Sequence, residues 1–293
     1  MATLRELKGR IGSVASSEKI TGAMKMISSA KMHKAEGALR RLQPYRKQVE
    51  TVISSLLNSD IQFESPLLEQ KEVKNCAIIV WGSDDGLCGA YNANLAKQLP
   101  EAIKAIKGDG NGDVRITVFT VGSKMYKATK RYSAGNVNVE EIPGINSKTE
   151  GDGIKTFVNE ITEKYISGQF DRIDVLYMKF FSASRQRAIN STFLPISPSA
   201  FTGDGKKQGG KPYIFEPDAE SIFIKALPMY LMSVAEDIFT ENRASEQAAR
   251  VMAMQSANDN AKKLLDQLRL EYNKLRQQAI TNELLDIVGG QIK

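Results

Sequence analysis

Along the first 57 residues the apolar positions recur at helical spacing. Leu4, Leu7, Ile11 and Val14 are separated by 3, 4 and 3 residues, Ile20, Met24 and Ile27 by 4 and 3, and Ala38, Leu42, Tyr45, Val49, Val52 and Leu56 by 4, 3, 4, 3 and 4. Two apolar positions in seven make a narrow stripe, the width of a coiled-coil seam rather than of the broad face that a globular helix buries. The stripe is interrupted after Val14, and Pro44 is expected to bend the helix, because its ring and missing N–H disturb the hydrogen-bond ladder. The far end of the chain repeats the pattern. From Asp218 to Val288 the one proline is Pro228, and a late seam reads Ala257, Ala261, Leu264, Leu268, Tyr272, Leu275 and Ala279.

At 1.5 Å per residue the first helix would run roughly 85 Å and the stretch after Pro228 alone roughly 90 Å, while a compact globule of this size has a radius of gyration of about 19 Å. Neither fits inside one. Each thin seam needs a cover, and a partner on the same chain has the higher effective concentration. The expected fold is therefore an α/β domain plus a long antiparallel α-helical coiled coil formed by the N- and C-terminal helices. Residues 1–60 and 213–293 would supply the coil, and 73–200 a Rossmann-like α/β domain.

The middle of the chain changes period. NCAIIVWGS (75–83), DVRITVFTVG (113–122) and NVNVEEI read as short strands, with helices expected near Ala93–Lys107, Lys124–Arg131 and Ile154–Ile166. DRIDVLYMKFFSA and AINSTFLPIS follow with a connection short enough for an antiparallel hairpin. Alternating strands and helices predict a small, mostly parallel sheet. FTGDGKKQGGKP (201–212) is expected to be a polar, mobile loop leading back into the coil.

Charge sharpens this picture at one end. Of the 40 Lys/Arg and 34 Asp/Glu in the 293 residues, the first 60 hold 11 and 5, so the whole net charge of +6 lies there. The stretch KITGAMKMISSAKMHKAEGALRR (19–41) combines small residues, three methionines and six basic side chains. Lacking interleaved aromatics, it is a poor stacking platform for nucleic acid. Helical spacing puts Met24 on the seam and Met26 and Met32 away from it, so the latter two are expected to be exposed, beside Lys25 and Lys31.

Catalytic chemistry finds little support. SDDGLCGAYN (83–92) sits where a phosphate-binding turn would, but it lacks the third glycine of a dinucleotide site, and GxxxxGK[ST] is absent from the chain. GDGNGD (108–113) has calcium-like letters without the terminal glutamate of a calcium loop. His33, the single histidine, has no second ligand, and Cys76 and Cys88 have no metal spacing. No catalytic residue, metal or cofactor is expected. The N-terminus lacks the apolar core of a signal peptide, and no run is long enough to span a membrane.

Several motifs together resemble the gamma subunit family of F-type ATP synthase: KITGAMKMISSAKM (19–32), ASEQAARVMAMQSANDNAKKL (244–264), ITNELLDIVGG (280–290), the turn SDDGLCGAYN and YIFEPD (213–218). The turn departs from the family in having Asp85 where arginine is common. The resemblance implies a non-catalytic rotor shaft on the cytoplasmic face of the bacterial inner membrane. Its coil would stand within a ring of alpha and beta subunits, and its foot on the membrane c ring and the epsilon subunit. It further implies that Met24, Lys25, Arg250, Gln277, Thr281 and Glu283 meet the catalytic head, and that Tyr213 and Glu216 meet the ring and epsilon. Two other classes stay open on the residues alone: a non-rotary coiled-coil scaffold, and a nucleotide-dependent enzyme built on the middle domain.

Overall fold

The computed structural model describes residues 3–57, 63–108, 114–198, 201, 215–216 and 218–290, the last three by backbone alone. Tyr213, the loop 202–212 and the GDGNGD turn beyond Gly108 lie outside the described residues. Two long helices bracket the chain, α1 (Leu4–Leu57) and α5 (Ala219–Gly290). Between them come β1 (Asn75–Trp81), α2 (Tyr91–Lys107), β2 (Arg115–Val121), α3 (Ser123–Thr129), β3 (Val137–Glu141), α4 (Asp152–Ile166), β4 (Arg172–Ser182) and β5 (Arg185–Leu194).

The five strands form one sheet in the order β3-β2-β1-β4-β5. The first three pairings are parallel, and β5 returns antiparallel beside β4, with Tyr177 opposite Ile189. Strand periodicity divides the side chains between two cores. Cys76, Ile78 and Val80 of β1 pack with Leu95 and Leu99 of α2 on one face. Ala77, Ile79 and Trp81 pack on the other, with Phe157 of α4, Ile53 of α1 and Phe239 of α5. Both faces of β1 are covered, which is why NCAIIVW reads as a continuous apolar run, while the edge strand β3 alternates buried and exposed positions. The long helices are thus part of the core at their foot: Val49, Ile53 and Leu56 of α1 and Phe223, Leu227 and Leu231 of α5 join the sheet's second face.

Farther along the coil the buried stripe differs from the one the spacing predicts. Ile20 and Ile27 are exposed (59% and 56%), and the buried positions are Ser28, Met32, Ala35 and Leu39. Met32 is therefore core, not surface, while Met26 is exposed as expected and Met24 is half-buried. On α5 the buried set is Met254, Asn258, Leu265 and Leu268, so Leu265 takes the place expected of Leu264, which is exposed. On α1 the seam between Ile20 and Ile27 yields to Ser28, and on α5 Asn258 is buried, because close approach of the two backbones around Gly22 selects small and polar side chains there; at Leu265 the difference is a shift of the stripe by one position. Gly22 shows how close: a Cβ built on it would lie 3.3 Å from Asn258 Nδ2.

The bend that follows β2 requires glycine. Gly122, which precedes α3, has φ 102°, and a Cβ there would lie 2.8 Å from the backbone carbonyl of Ser83. Gly122→Ala combines backbone strain with a collision that no side-chain rotation relieves, and is expected to cost about 2–3 kcal/mol. Urea denaturation of the full chain measures it; a loss below about 0.5 kcal/mol would show that the turn rearranges freely.

Candidate partner interface

In open parallel sheets a ligand crevice forms outside the carboxyl ends of the strands, at the point where strand order reverses. Here β1 and β4 flank that point, since α2 and α3 pack on one face of the sheet and α4 on the other. The position is filled by α5. Asn242 donates its Nδ2–H to the Gly82 carbonyl after β1 (3.1 Å) and accepts from the Tyr91 hydroxyl at the start of α2 (2.5 Å). One turn on, the Ser245 hydroxyl donates to the Met178 carbonyl of β4 (2.9 Å). Burial above all raises the Tyr91 pKa well beyond its ordinary value, so the phenol stays a donor.

Arg250 continues this attachment. It is 6% exposed, pairs with Glu246 at 2.6 Å, and directs the rest of its guanidinium to the carbonyls of Gly86 (3.2 Å) and Asp85 (3.4 Å). Burial raises the Glu246 pKa, against the pull of Arg250. The turn 83–90 is thus held from within, and its own carboxylates serve the chain. Asp84 accepts backbone N–H bonds from Ser123 and Ser147, which together outweigh its burial and lower its pKa, while Asp85 pairs with Lys148 at 3.0 Å. No phosphate cradle is left open there, and the acid at position 85 has an internal partner.

The two long helices are registered by polar contacts as much as by packing. Arg46 of α1 donates to Asp237 of α5 at 2.9 Å. Ala35 and Leu39 meet Ala244 beneath Phe180 of β4. Higher up, buried Asn258 donates to the Glu18 carbonyl at 2.6 Å, which is possible because Gly22 leaves room for it. Rising α1 numbers meet falling α5 numbers, so the pair is antiparallel.

The remaining candidate residues divide by place. Lys25 is half-buried beside Met24, and His33 lies on the exposed side of α1, where Nδ1 is 3.4 Å from Glu36. Gln277, Thr281 and Glu283 are exposed near the end of α5, where the Thr281 hydroxyl donates back to the Gln277 carbonyl (2.9 Å). Every described side chain from Ile280 to Ile287 is exposed, including Ile280, Leu284, Leu285 and Ile287. Glu216, at the opposite end, borders a groove of about 460 Å³ lined by Tyr45, Val49, Val52, Ile222 and Met229. The structure therefore separates Arg250, which is internal, from the exposed candidates, and it reveals an apolar helix tip and an apolar foot groove that seam counting missed. The spacing alone held a signal for the tip: ITNELLDIV is apolar on more than one face.

A family model described as ATP synthase matches residues 3–291. An ATP synthase gamma chain from Bacteroides thetaiotaomicron is 39% identical over 302 residues, covering 100% of both chains. A chain of the Euglena gracilis mitochondrial ATP synthase, in a structure of its OSCP, F1 and c-ring, has the same fold at a TM-score of 0.67 and 19% identity, over 98% of this chain and 93% of that one. A chain from the rotor of the same enzyme gives a TM-score of 0.62 at 19% identity, covering 94% and 98%.

Arg250→Ala should destabilise the isolated chain by about 3 kcal/mol, because it leaves Glu246 buried and unpaired. Chemical denaturation of the chain without partners measures this; unchanged stability would mean that Arg250 acts only on a partner.

Proposed function

Because the chain belongs to the ATP synthase gamma family, we propose that it works as the central stalk, carrying rotation from a membrane c ring to a catalytic head of alpha and beta subunits. The observation that carries this is the shape and surface of the coil. Helix α5 has 72 residues and α1 has 54, so α5 spans about 110 Å and α1 about 80 Å. Their inner ends are fixed to the sheet, and their outer ends present apolar and basic side chains without an internal partner for them. An exposed apolar helix end is a surface that expects another protein.

Among the described residues no helix is long and apolar enough to cross a membrane. The chain would reach the membrane through the ring, peripherally and from the cytoplasmic side, with Glu216, Tyr213 and the foot groove as the contact for the c ring and the epsilon subunit. The catalytic head would receive Met24 and Lys25 on α1 and Gln277, Thr281 and Glu283 on α5. Arg250 would support that surface from inside, through the turn it holds, rather than by touching the head.

Catalysis would belong to the assembly, with this chain acting on it mechanically. The coil is asymmetric: α1 carries the positive charge and Met26, while α5 carries the apolar tip. As it turns, each beta subunit meets a different face. A rotor shifts the equilibrium between nucleotide-site conformations only through such differential contact. Against the nucleotide-enzyme alternative speaks the packing of α5 over the crevice where a dinucleotide would lie, through Asn242 and Ser245. A scaffold would bind partners in fixed ratio without coupling to ATP turnover.

Reconstitution with alpha and beta subunits separates these outcomes. A rotor gives a complex whose ATPase stops when the coil is joined to a beta subunit of the head by an engineered disulfide crosslink and resumes on its reduction; turnover indifferent to the crosslink rejects rotation. In the complete membrane-bound assembly with the c ring, Lys25→Glu with Lys31→Glu should shift the folding stability of this chain by less than about 1 kcal/mol, since Lys31 is exposed and Lys25 only half-buried, while lowering ATP-driven ion pumping severalfold. Undiminished pumping would remove the basic face of α1 from the coupling surface.

A further inference from the structure

Helix α5 carries two carboxylates one turn apart inside the junction where it is packed between α1 and β4. Asp237 is 7% exposed; its Oδ2 accepts from Arg46, and its Oδ1 is buried without a partner. Arg46 is divided, since its Nε donates to Glu50 of α1 at 2.8 Å. Glu241 faces β4, where Tyr177 is its hydrogen-bonding neighbour and the Lys179 ammonium, 6.0 Å above the Phe181 ring, supplies the nearest positive field from the sheet. Its Oε2 is also buried and unpartnered. Glu236, the remaining carboxylate on this part of α5, has its own pKa raised by burial and by Asp237.

Three carboxylates, Glu50, Asp237 and Glu241, therefore share one guanidinium and a more distant ammonium. Like charges one helical turn apart oppose each other, and a buried carboxylate oxygen with no donor is costly when ionised. A proton removes both penalties. We infer that Glu241 is a proton-binding site built into the joint between coil and sheet: protonated, it lets α5 seat fully on β4, and on losing its proton to solvent it loosens that contact.

Burial is the main cause that pushes the Glu241 pKa up to about 7, with Asp237 adding to it and Lys179, Arg46 and Tyr177 opposing. Between the ordinary value of 4.5 and about 7 the folded chain holds a proton that the unfolded chain has released. Stability from this group is thus fully present below that window, falls as pH rises through it, and is flat above it.

The test uses the full-length chain and Glu241→Gln, which keeps the shape and cannot ionise. Near pH 4, below the window, the two should unfold at about the same urea concentration. Above pH 7 the variant should have the larger folding equilibrium constant, on the order of a hundredfold, and wild-type amide exchange along 172–182 and 234–246, corrected for intrinsic rate, should quicken with pH where the variant's does not. Glu246 contributes its own pH dependence to both proteins, so the difference between them isolates Glu241. Parallel pH profiles would overturn the inference. Should the variant be unstable at every pH, carboxyl carbon-13 titration of wild-type Glu241 decides: a midpoint near 7 supports the site, and one below 5 overturns it.

Discussion

Everything else in this fold depends on α5 lying across the carboxyl ends of the strands. A parallel sheet ends there in a row of carbonyls and helix starts that would otherwise face water or a ligand. Asn242, Ser245 and Arg250 each satisfy one or more of those carbonyls from a single helix, at Gly82, Met178, Gly86 and Asp85. The same three turns are buried nearly all round, so the helix is clamped where it leaves the sheet and free where it continues beyond. Clamping turns a dinucleotide-type crevice into a mechanical mount. A fold usually associated with small ligands has here been given a helix as its permanent occupant.

From that mount outward the coil is held differently. At the foot the seam is large and apolar, with Ile53, Leu56, Phe223 and Leu227 in the sheet's own core. In its middle it thins to Ser28, Gly22 and Asn258, where hydrogen bonds replace bulk, and beyond them it regains bulk at Leu7, Leu265 and Leu268. Small residues let two backbones approach, but a seam of small residues discriminates poorly between registers. A buried asparagine corrects this, because slipping by one turn would strand its amide away from the Glu18 carbonyl. The coil thereby gains register at some cost in stability, which a shaft bound along its length by partners would tolerate.

This variation along the seam explains which parts of the chain were legible in the sequence. The helix extents, the five strands and the antiparallel hairpin followed from period and turn residues, since Cys76–Trp81 and Leu268 are buried as the spacing predicts, and Tyr272, Leu275 and Ala279 are half-buried on the same side. Between Ile20 and Ile27 the rule that bulk is buried failed. There the helices touch through small side chains, so the bulky residues were left outside, and a count of apolar spacing selected the wrong stripe. Arg250 was a different case. Its motif suggested a partner contact, but nothing in a sequence reveals that Glu246 and the carbonyls of a turn some 160 positions earlier would converge on it. Long-range polar contacts of this kind have no period to detect.

The exposed apolar residues complete the physical picture, because they mark where intramolecular packing stops. Antiparallel pairing in the observed register uses up α1 at Leu4, and α5 continues past it as a single helix in which no described side chain from Ile280 to Ile287 is buried. A lone helix of that length is marginal in water, since its stability must come from packing rather than propensity. Its apolar side chains would then be stabilised by a surrounding surface, and one that held them too tightly would stop the shaft from turning. A ring of contacts that are individually weak and similar at each angle meets both conditions, which is why a tip of scattered Ile and Leu side chains suits a bearing better than one deep pocket would.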